Sequence, residues 1–184
     1  ESPPTAVALA EDLLVSTGDR TRAVTRKGEV RWETSVGGFT TLTVGAEGSV
    51  VLGGTRDELL ALDADDGSER FRRPRPNADV ASEYHLVPWE GGAVLAAWFS
   101  LWTVHANGKL GLDAQVDGAV SHAGVLGDVA VVALQNGDLV GIDLENGEAV
   151  WTDTLDVDWL AEAGRSRLLA RADGAYHAIT AAGG

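Results

Sequence analysis

The sequence predicts an all-β repeat fold of stacked four-stranded antiparallel sheets, and three observations carry that prediction. Gly28, Gly67, Gly108 and Gly147 recur at intervals of 39, 41 and 39 residues. Each is followed four positions later by a large apolar residue: Trp32, Phe71, Leu112 and Trp151. A small, apolar, polar triplet precedes each turn, as Ala23-Val24-Thr25, Ala61-Leu62-Asp63, Thr103-Val104-His105 and Gly141-Ile142-Asp143, and a fifth, Ala178-Ile179-Thr180, leads to Gly183. A period of about forty residues marks a unit that buries its apolar face only by stacking on its neighbours.

Each unit resolves into four runs. The first is exemplified by Phe39-Thr40-Thr41-Leu42-Thr43-Val44. The second is the most apolar and reads as the buried strand: Leu13-Leu14-Val15, Val50-Val51-Leu52-Gly53, Val94-Leu95-Ala96-Ala97, Val129-Ala130-Val131-Val132 and Leu168-Leu169-Ala170. The third ends in the triplet, whose Asp or Thr can accept a hydrogen bond from the backbone of the following turn. Glycine closes that turn at positive φ. The fourth carries the aromatic. Four short strands per unit make one blade of a β-propeller. Five blades are expected, at approximately 4–36, 37–75, 79–115, 117–155 and 156–184, the last without its outer strand. They form one propeller domain or part of one. Ala6 to Ser16 and Trp159 to Ala172 also carry helical character, but both fall in register with strands of the other repeats, and Gly164 interrupts the second.

The runs Leu139-Val140-Gly141-Ile142-Asp143-Leu144-Glu145-Asn146-Gly147-Glu148-Ala149-Val150-Trp151 and Leu59-Leu60-Ala61-Leu62-Asp63-Ala64-Asp65-Asp66-Gly67-Ser68-Glu69-Arg70-Phe71 resemble the pyrroloquinoline-quinone-type propeller repeat. The resemblance covers essentially the whole chain. It departs at Leu112, where Trp is typical, and in the fifth repeat, which stops at the turn. It implies that Trp32, Phe71 and Trp151 pack between blades. It also implies either a non-catalytic binding or scaffolding propeller, similar to the BamB-like lipoproteins, with protein partners and an extracytoplasmic or cell-surface location, or a fragment of a larger quinoprotein dehydrogenase. Such dehydrogenases hold their quinone with calcium, acidic and Asn ligands, a stacking Trp and in many cases a disulfide between adjacent cysteines. This chain has no cysteine. No catalytic residue and no cofactor are therefore assigned.

Where the repeats disagree, function is expected. The longest loop candidate, Pro74 to Ser82, leads into Glu83, Tyr84 and His85. Trp98 and Trp102 flank a very short hairpin, Phe99-Ser100-Leu101, where other repeats have polar turns, and this aromatic-rich tip is expected beside Trp89. Glu83, Tyr84, His85, Trp89, Trp98 and Trp102 are the candidate partner-binding residues. The acidic turn Asp63, Asp65, Asp66 superficially resembles a calcium loop, yet it lacks the distal bidentate Glu and reads as a plain hairpin turn. Asp153, Asp156 and Asp158 read as a solvated loop between blades. His85, His105, His122 and His177 show no i, i+4 pair, which disfavours zinc.

Charge narrows the partners. With 28 acidic residues against 14 basic, the formal net charge is −14, and only Lys27 and Lys109 are lysine. This acidic, Arg-over-Lys, cysteine-free composition is associated with proteins of halophilic microbes. Such carboxylates keep a protein soluble under strong screening and repel one another in dilute salt. Nucleic acid is disfavoured, because phosphate binding needs a basic stripe. The cluster Arg70, Arg72, Arg73, Arg75 reads instead as a solvated edge paired with neighbouring acids. No segment approaches the roughly twenty apolar residues of a membrane span.

Propellers close by joining the last blade to the first. Glu1-Ser2-Pro3-Pro4 is too short and proline-rich to serve as a borrowed strand. The third strand of the fifth repeat is therefore expected to expose an edge open to self-association. The sequence reads as a mature product or as a piece of a larger ring of about seven or eight blades, with closure at five or completion by a second chain as alternatives.

Overall fold

A computed structural model describes residues 5–9, 12–17, 19–36, 39, 41–44, 50–78, 83–90, 92–163 and 166–183. Glu1–Pro4, Gly164 and the 79–82 part of the candidate loop lie outside the described residues. All described elements are strands, arranged in five antiparallel sheets whose strand order follows the chain within each sheet.

The first sheet holds β1 (Thr5–Leu9), β2 (Asp12–Thr17), β3 (Arg20–Thr25) and β4 (Val30–Thr34). The second holds β5 (Thr41–Val44), β6 (Val50–Gly54), β7 (Glu58–Asp63) and β8 (Glu69–Pro74). The third holds β9 (His85–Trp89), β10 (Gly92–Ala97), β11 (Ser100–His105) and β12 (Leu110–Gln115). The fourth holds β13 (Val120–Leu126), β14 (Val129–Leu134), β15 (Asp138–Asp143) and β16 (Ala149–Thr154). The fifth has three strands, β17 (Val157–Glu162), β18 (Leu168–Ala172) and β19 (Ala175–Ile179). Both segments with helical character are strands: residues 5–9 and 12–17 form β1 and β2, and β17 and β18 span most of 157–172.

In the second, third and fourth sheets the second strand is covered on both faces, which is why it reads as an unbroken apolar run rather than an alternation. β6 and β10 are buried along their whole length, whereas the outer strands β8, β12 and β16 are largely exposed or half-buried.

By contact density the chain divides into two compact units. One comprises Glu1–Ser82, Glu90–Ala93 and His105–Lys109, the other Glu83–Trp89, Val94–Val104 and Leu110–Gly184. In the first unit β1 lies against β5, and a core of Ala23, Trp32, Phe39, Leu42, Val51, Leu60, Leu62 and Ala64 fills the space between the first two sheets. In the second unit β13 lies beside both β9 and β17. Two cores result: one joins Val94, Ala96 and Leu101 to Val120, Ala130 and Ile142, the other joins Leu126, Val131 and Leu139 to Leu168, Ala170 and Ile179.

The turn glycines have the conformation their sequence context demands. Gly28, Gly67, Gly108, Gly147 and Gly183 have φ of 84°, 75°, 83°, 79° and 109°. The polar residue of the triplet holds the turn as expected in three repeats. Thr25 Oγ1 accepts from the Lys27 and Glu29 amides, Asp63 Oδ1 from Asp65 N–H at 2.8 Å, and Asp143 Oδ1 from Glu145 N–H at 2.8 Å. Thr180 works in reverse, donating its hydroxyl to the Gly183 carbonyl at 2.8 Å. In the third repeat Asn107 Oδ1 accepts from the Lys109 amide at 2.9 Å.

The register explains why the first residue of the triplet is small. Ala23 pairs with Trp32, Ala61 with Phe71 and Gly141 with Trp151, and a bulge follows each pair. The ring of the outer strand lies across its neighbour's small residue and then reaches the turn glycine of the following repeat. A Cβ at Gly67 would stand 2.8 Å from Trp32 Cδ2, and one at Gly108 would stand 2.8 Å from Phe71 Cγ. The indole N–H groups are satisfied across the same junction: Trp32 Nε1 donates to the Ala64 carbonyl at 2.9 Å and Trp151 Nε1 to the Ala181 carbonyl at 2.8 Å.

Candidate functional site

The aromatic hairpin is a two-residue turn, Trp98–Phe99, between β10 and β11. Trp98 has φ of 56° and is 48% exposed, and its ring meets Phe99 edge-on at 5.2 Å. The first residue of the β13–β14 turn is also at positive φ, and there it is Gly127, at 60°. A bulky residue at positive φ costs on the order of 1–3 kcal/mol and persists where the surroundings over-determine it. Here they do. The Trp98 carbonyl accepts from Val120 N–H at 2.8 Å, and the Phe99 carbonyl accepts from Val116 N–H at 2.9 Å. The turn is thus tied to the segment that leads into β13.

Two residues beyond the Val120 anchor, the His122 ring stacks on His85 of β9, with centroids 6.1 Å apart and planes 23° from parallel. Neither spacing nor periodicity revealed this pair, because only the adjacency of β9 and β13 makes it. Burial pushes the His85 imidazole below its ordinary 6.5; His122 adds to that, while a bond to the Ser121 backbone and the charge of Glu83 oppose it. Burial likewise lowers His122, opposed by Asp158. His122 Nδ1 is buried without a hydrogen-bond partner.

The folded state therefore holds both rings neutral more firmly than the unfolded chain does. As pH falls, the unfolded chain takes up protons first, so this contribution to stability is complete above 6.5 and is lost as pH drops through the lower folded-state values. Between about pH 7 and about pH 5, the melting temperature of the native chain is expected to fall more steeply than that of a His85→Gln/His122→Gln variant. Parallel slopes in thermal melts would show that the pair does not titrate differently on folding.

The six sequence-derived candidates occupy distinct environments. Glu83 is exposed, and Tyr84 and His85 are half-buried at the start of β9. Trp98 is exposed on the turn, and Trp89 is half-buried against the core shared by the third and fourth sheets. Trp102 is 6% exposed, inside β11. The anchored turn and the His85–His122 stack are thus linked through Val120, while Trp102 is turned to the interior.

The other charged features are engaged locally. Arg70 bridges Asp63 at 2.7 Å, and Arg72 bridges Glu58 at 2.7 Å and Glu69 at 2.8 Å, as an edge paired with acids should. Arg75 departs from that reading: it is 3% exposed and its guanidinium donates twice to the Arg56 carbonyl, at 2.9 and 2.7 Å. Asp63 serves its turn and Arg70, and the Arg70 bond is the main cause that lowers its carboxyl pKa. Asp153 and Asp158 lie within β16 and β17 rather than in a loop, and Asp156 lies between those strands. Among the described residues no three His, Cys, Asp or Glu side chains converge as metal ligands.

A family model described as the outer membrane protein assembly factor BamB matches residues 2–170. The chain belongs to this BamB family. Its fold is correspondingly an all-β propeller fold of antiparallel blades. Among solved structures it is similar to BamB from Moraxella catarrhalis, with 17% identity and a TM-score of 0.76 over 96% of this chain and 57% of that one. It is also similar to the WD40 domain of SCAP from fission yeast, with 10% identity and a TM-score of 0.73 over 98% of this chain and 53% of that one. The computationally designed Ika8 protein gives 13% identity and a TM-score of 0.73 over 95% and 57%. The chain thus spans little more than half the length of these structures. No curated protein of similar sequence was found.

Proposed function

We propose that this BamB-family chain is a non-catalytic, protein-binding propeller module that engages its partner through the Trp98–Phe99 turn, with Glu83, Tyr84 and His85 beside it. The observation that carries this reading is Trp98 itself: a large ring 48% exposed, at φ 56°, on a turn anchored by two backbone hydrogen bonds. A rigid, pre-oriented aromatic loses little conformational entropy on docking, and Trp is enriched among the residues that dominate binding energy. Half-buried Trp89 packs against the core of the third and fourth sheets, at the far end of β10 from the turn, and Trp102 contributes to the interior rather than to contact. The same reading takes residues 1–184 as one scaffolding propeller domain or part of one. It places the domain outside the cytoplasm, in a high-salt setting suited to a net charge of −14. It also includes self-association through the outer edge of β19, where Tyr176 is 67% exposed.

Replacing Trp98 with glycine separates binding from folding. Relief of the positive φ is expected to leave stability unchanged or raise it by about 1 kcal/mol. Loss of the anchor is expected to weaken partner binding by about thirtyfold, the effect of removing a dominant contact. The check is quantitative co-purification in molar salt together with a denaturant titration. Retention of the same partners at native levels by a folded Trp98→Gly variant would place the contact elsewhere. Turnover of alcohols or sugars after addition of pyrroloquinoline quinone and calcium would overturn the non-catalytic reading.

A further inference from the structure

The third repeat breaks the aromatic column, and a cleft of about 150 Å³ opens in the second unit where the column is broken. Its walls include Val140 and Ile142 of β15, Gly147 of the next turn, and the polar groups of Gln115, Asp117 and Asp138. These are repeat equivalents of residues the first unit seals. Val140, Ile142 and Gly147 correspond to Leu60, Leu62 and Gly67, which Trp32 covers. Leu112 is the counterpart of Trp32. It touches the Gly147 position through Cδ1 but is too small to cover it, so Gly147 and Val140 are half-exposed where Gly67 and Leu60 are buried. The neighbouring strand is matched to this change, since Thr103 stands where Ala23, Ala61 and Gly141 make room for a ring.

A cation is missing at the same place. In the second sheet Leu60 pairs with Arg72, which bridges Glu58 at 2.7 Å. In the fourth, Val140 pairs with Thr152, so Thr152 occupies the place of Arg72 and Asp138 that of Glu58. Asp138 accepts from Asn136 Nδ2 at 2.9 Å but has no basic partner among the described residues. No basic residue lines the cleft, and Thr152 and two carboxylates do. The site thus lacks one flat ring against an apolar wall and one positive charge beside a carboxylate. A space of about this size accommodates a single aromatic ring.

We propose that this cleft binds small aromatic amines, seating the ring over Val140, Ile142 and Gly147 in the position of the absent indole and the ammonium at Asp138, with Asp117 adding to the negative field. The cleft adjoins the segment that anchors the Trp98 turn through Val116, but its assignment does not rest on the Trp98 reading.

Tryptamine titrated calorimetrically into the whole chain, at a salt concentration where circular dichroism reports the native fold, tests the proposal. Saturable 1:1 binding is expected. Neutral indole should bind about tenfold more weakly, and indole-3-acetate more weakly still. Asp138→Asn should reduce tryptamine affinity about tenfold and leave indole binding unchanged. A Leu112→Trp/Thr103→Ala variant, which restores the pattern of the first repeat, should fill the cleft and abolish binding of both. Absence of saturable tryptamine binding to the native chain, equal binding of indole-3-acetate, or undiminished tryptamine binding in the folded filled variant or in Asp138→Asn would each overturn the assignment.

Discussion

Trp32→Ala is expected to lower the unfolding free energy by about 3–5 kcal/mol, the range for removing a buried large aromatic. Trp32 is 8% exposed and packs with Ala23, Leu60, Leu62 and Ala64, and its ring covers Gly67. Truncation leaves a cavity between two sheets, and it also deprives the Ala64 carbonyl of the indole donor that bonds it at 2.9 Å. Trp159→Ala supplies the comparison, because Trp159 is 45% exposed, and its loss is expected to cost no more than about 0.5 kcal/mol. Denaturant titrations of both variants decide the matter. Similar midpoints for the two would mean that the aromatic column does not hold the repeats together.

Gly67→Ala is expected to cost about 2–5 kcal/mol, against about 1–2 kcal/mol for Gly127→Ala. Both glycines are at positive φ, 75° and 60°, so both substitutions carry the left-handed penalty of an L-residue. They differ in surroundings. A Cβ on Gly127 meets nothing within 4 Å, whereas one on Gly67 would stand 2.8 Å from Cδ2 of a ring held on both sides. The difference between the two costs isolates the overpacking contribution from the backbone one. Because Gly67 and Trp32 are in contact, Gly67→Ala in a Trp32→Leu background should cost less than in the native chain. Equal costs in both backgrounds would show that the indole yields freely.

Local chemistry made the turns and strands legible. The Asp63 and Asp143 turns, the positive-φ glycines and the unbroken apolar runs of β6, β10 and β14 all express interactions between residues close in sequence or repeated along it. Repetition also decided between strand and helix for 6–16 and 159–172, where local propensity pointed the wrong way. Periodicity exposes what the repeats share and hides what two of them do together. The stack of His85 on His122 joins first strands of successive sheets, and no spacing rule reaches across such a gap. Arg75 looked like one of four similar arginines, but its path beside the Arg56 carbonyl buries it. Trp98 and Trp102 looked alike as well. One sits at a turn residue and the other on the inward face of a strand, because the turn is Trp98–Phe99 and not Phe99-Ser100-Leu101, whose last two residues belong to β11.

By itself the sequence determined the repeat, its turns, the all-β blade and membership in a family whose members share that blade, because each of these rests on turn hydrogen bonding between near neighbours and on apolar runs that recur along the chain. Only the tertiary structure decided which aromatic is an anchor and which is core, which histidines meet, and where the missing indole at Leu112 leaves an open wall. Those depend on what stands across from a residue in a neighbouring sheet, and the turn glycine that every repeat shares contains no record of it.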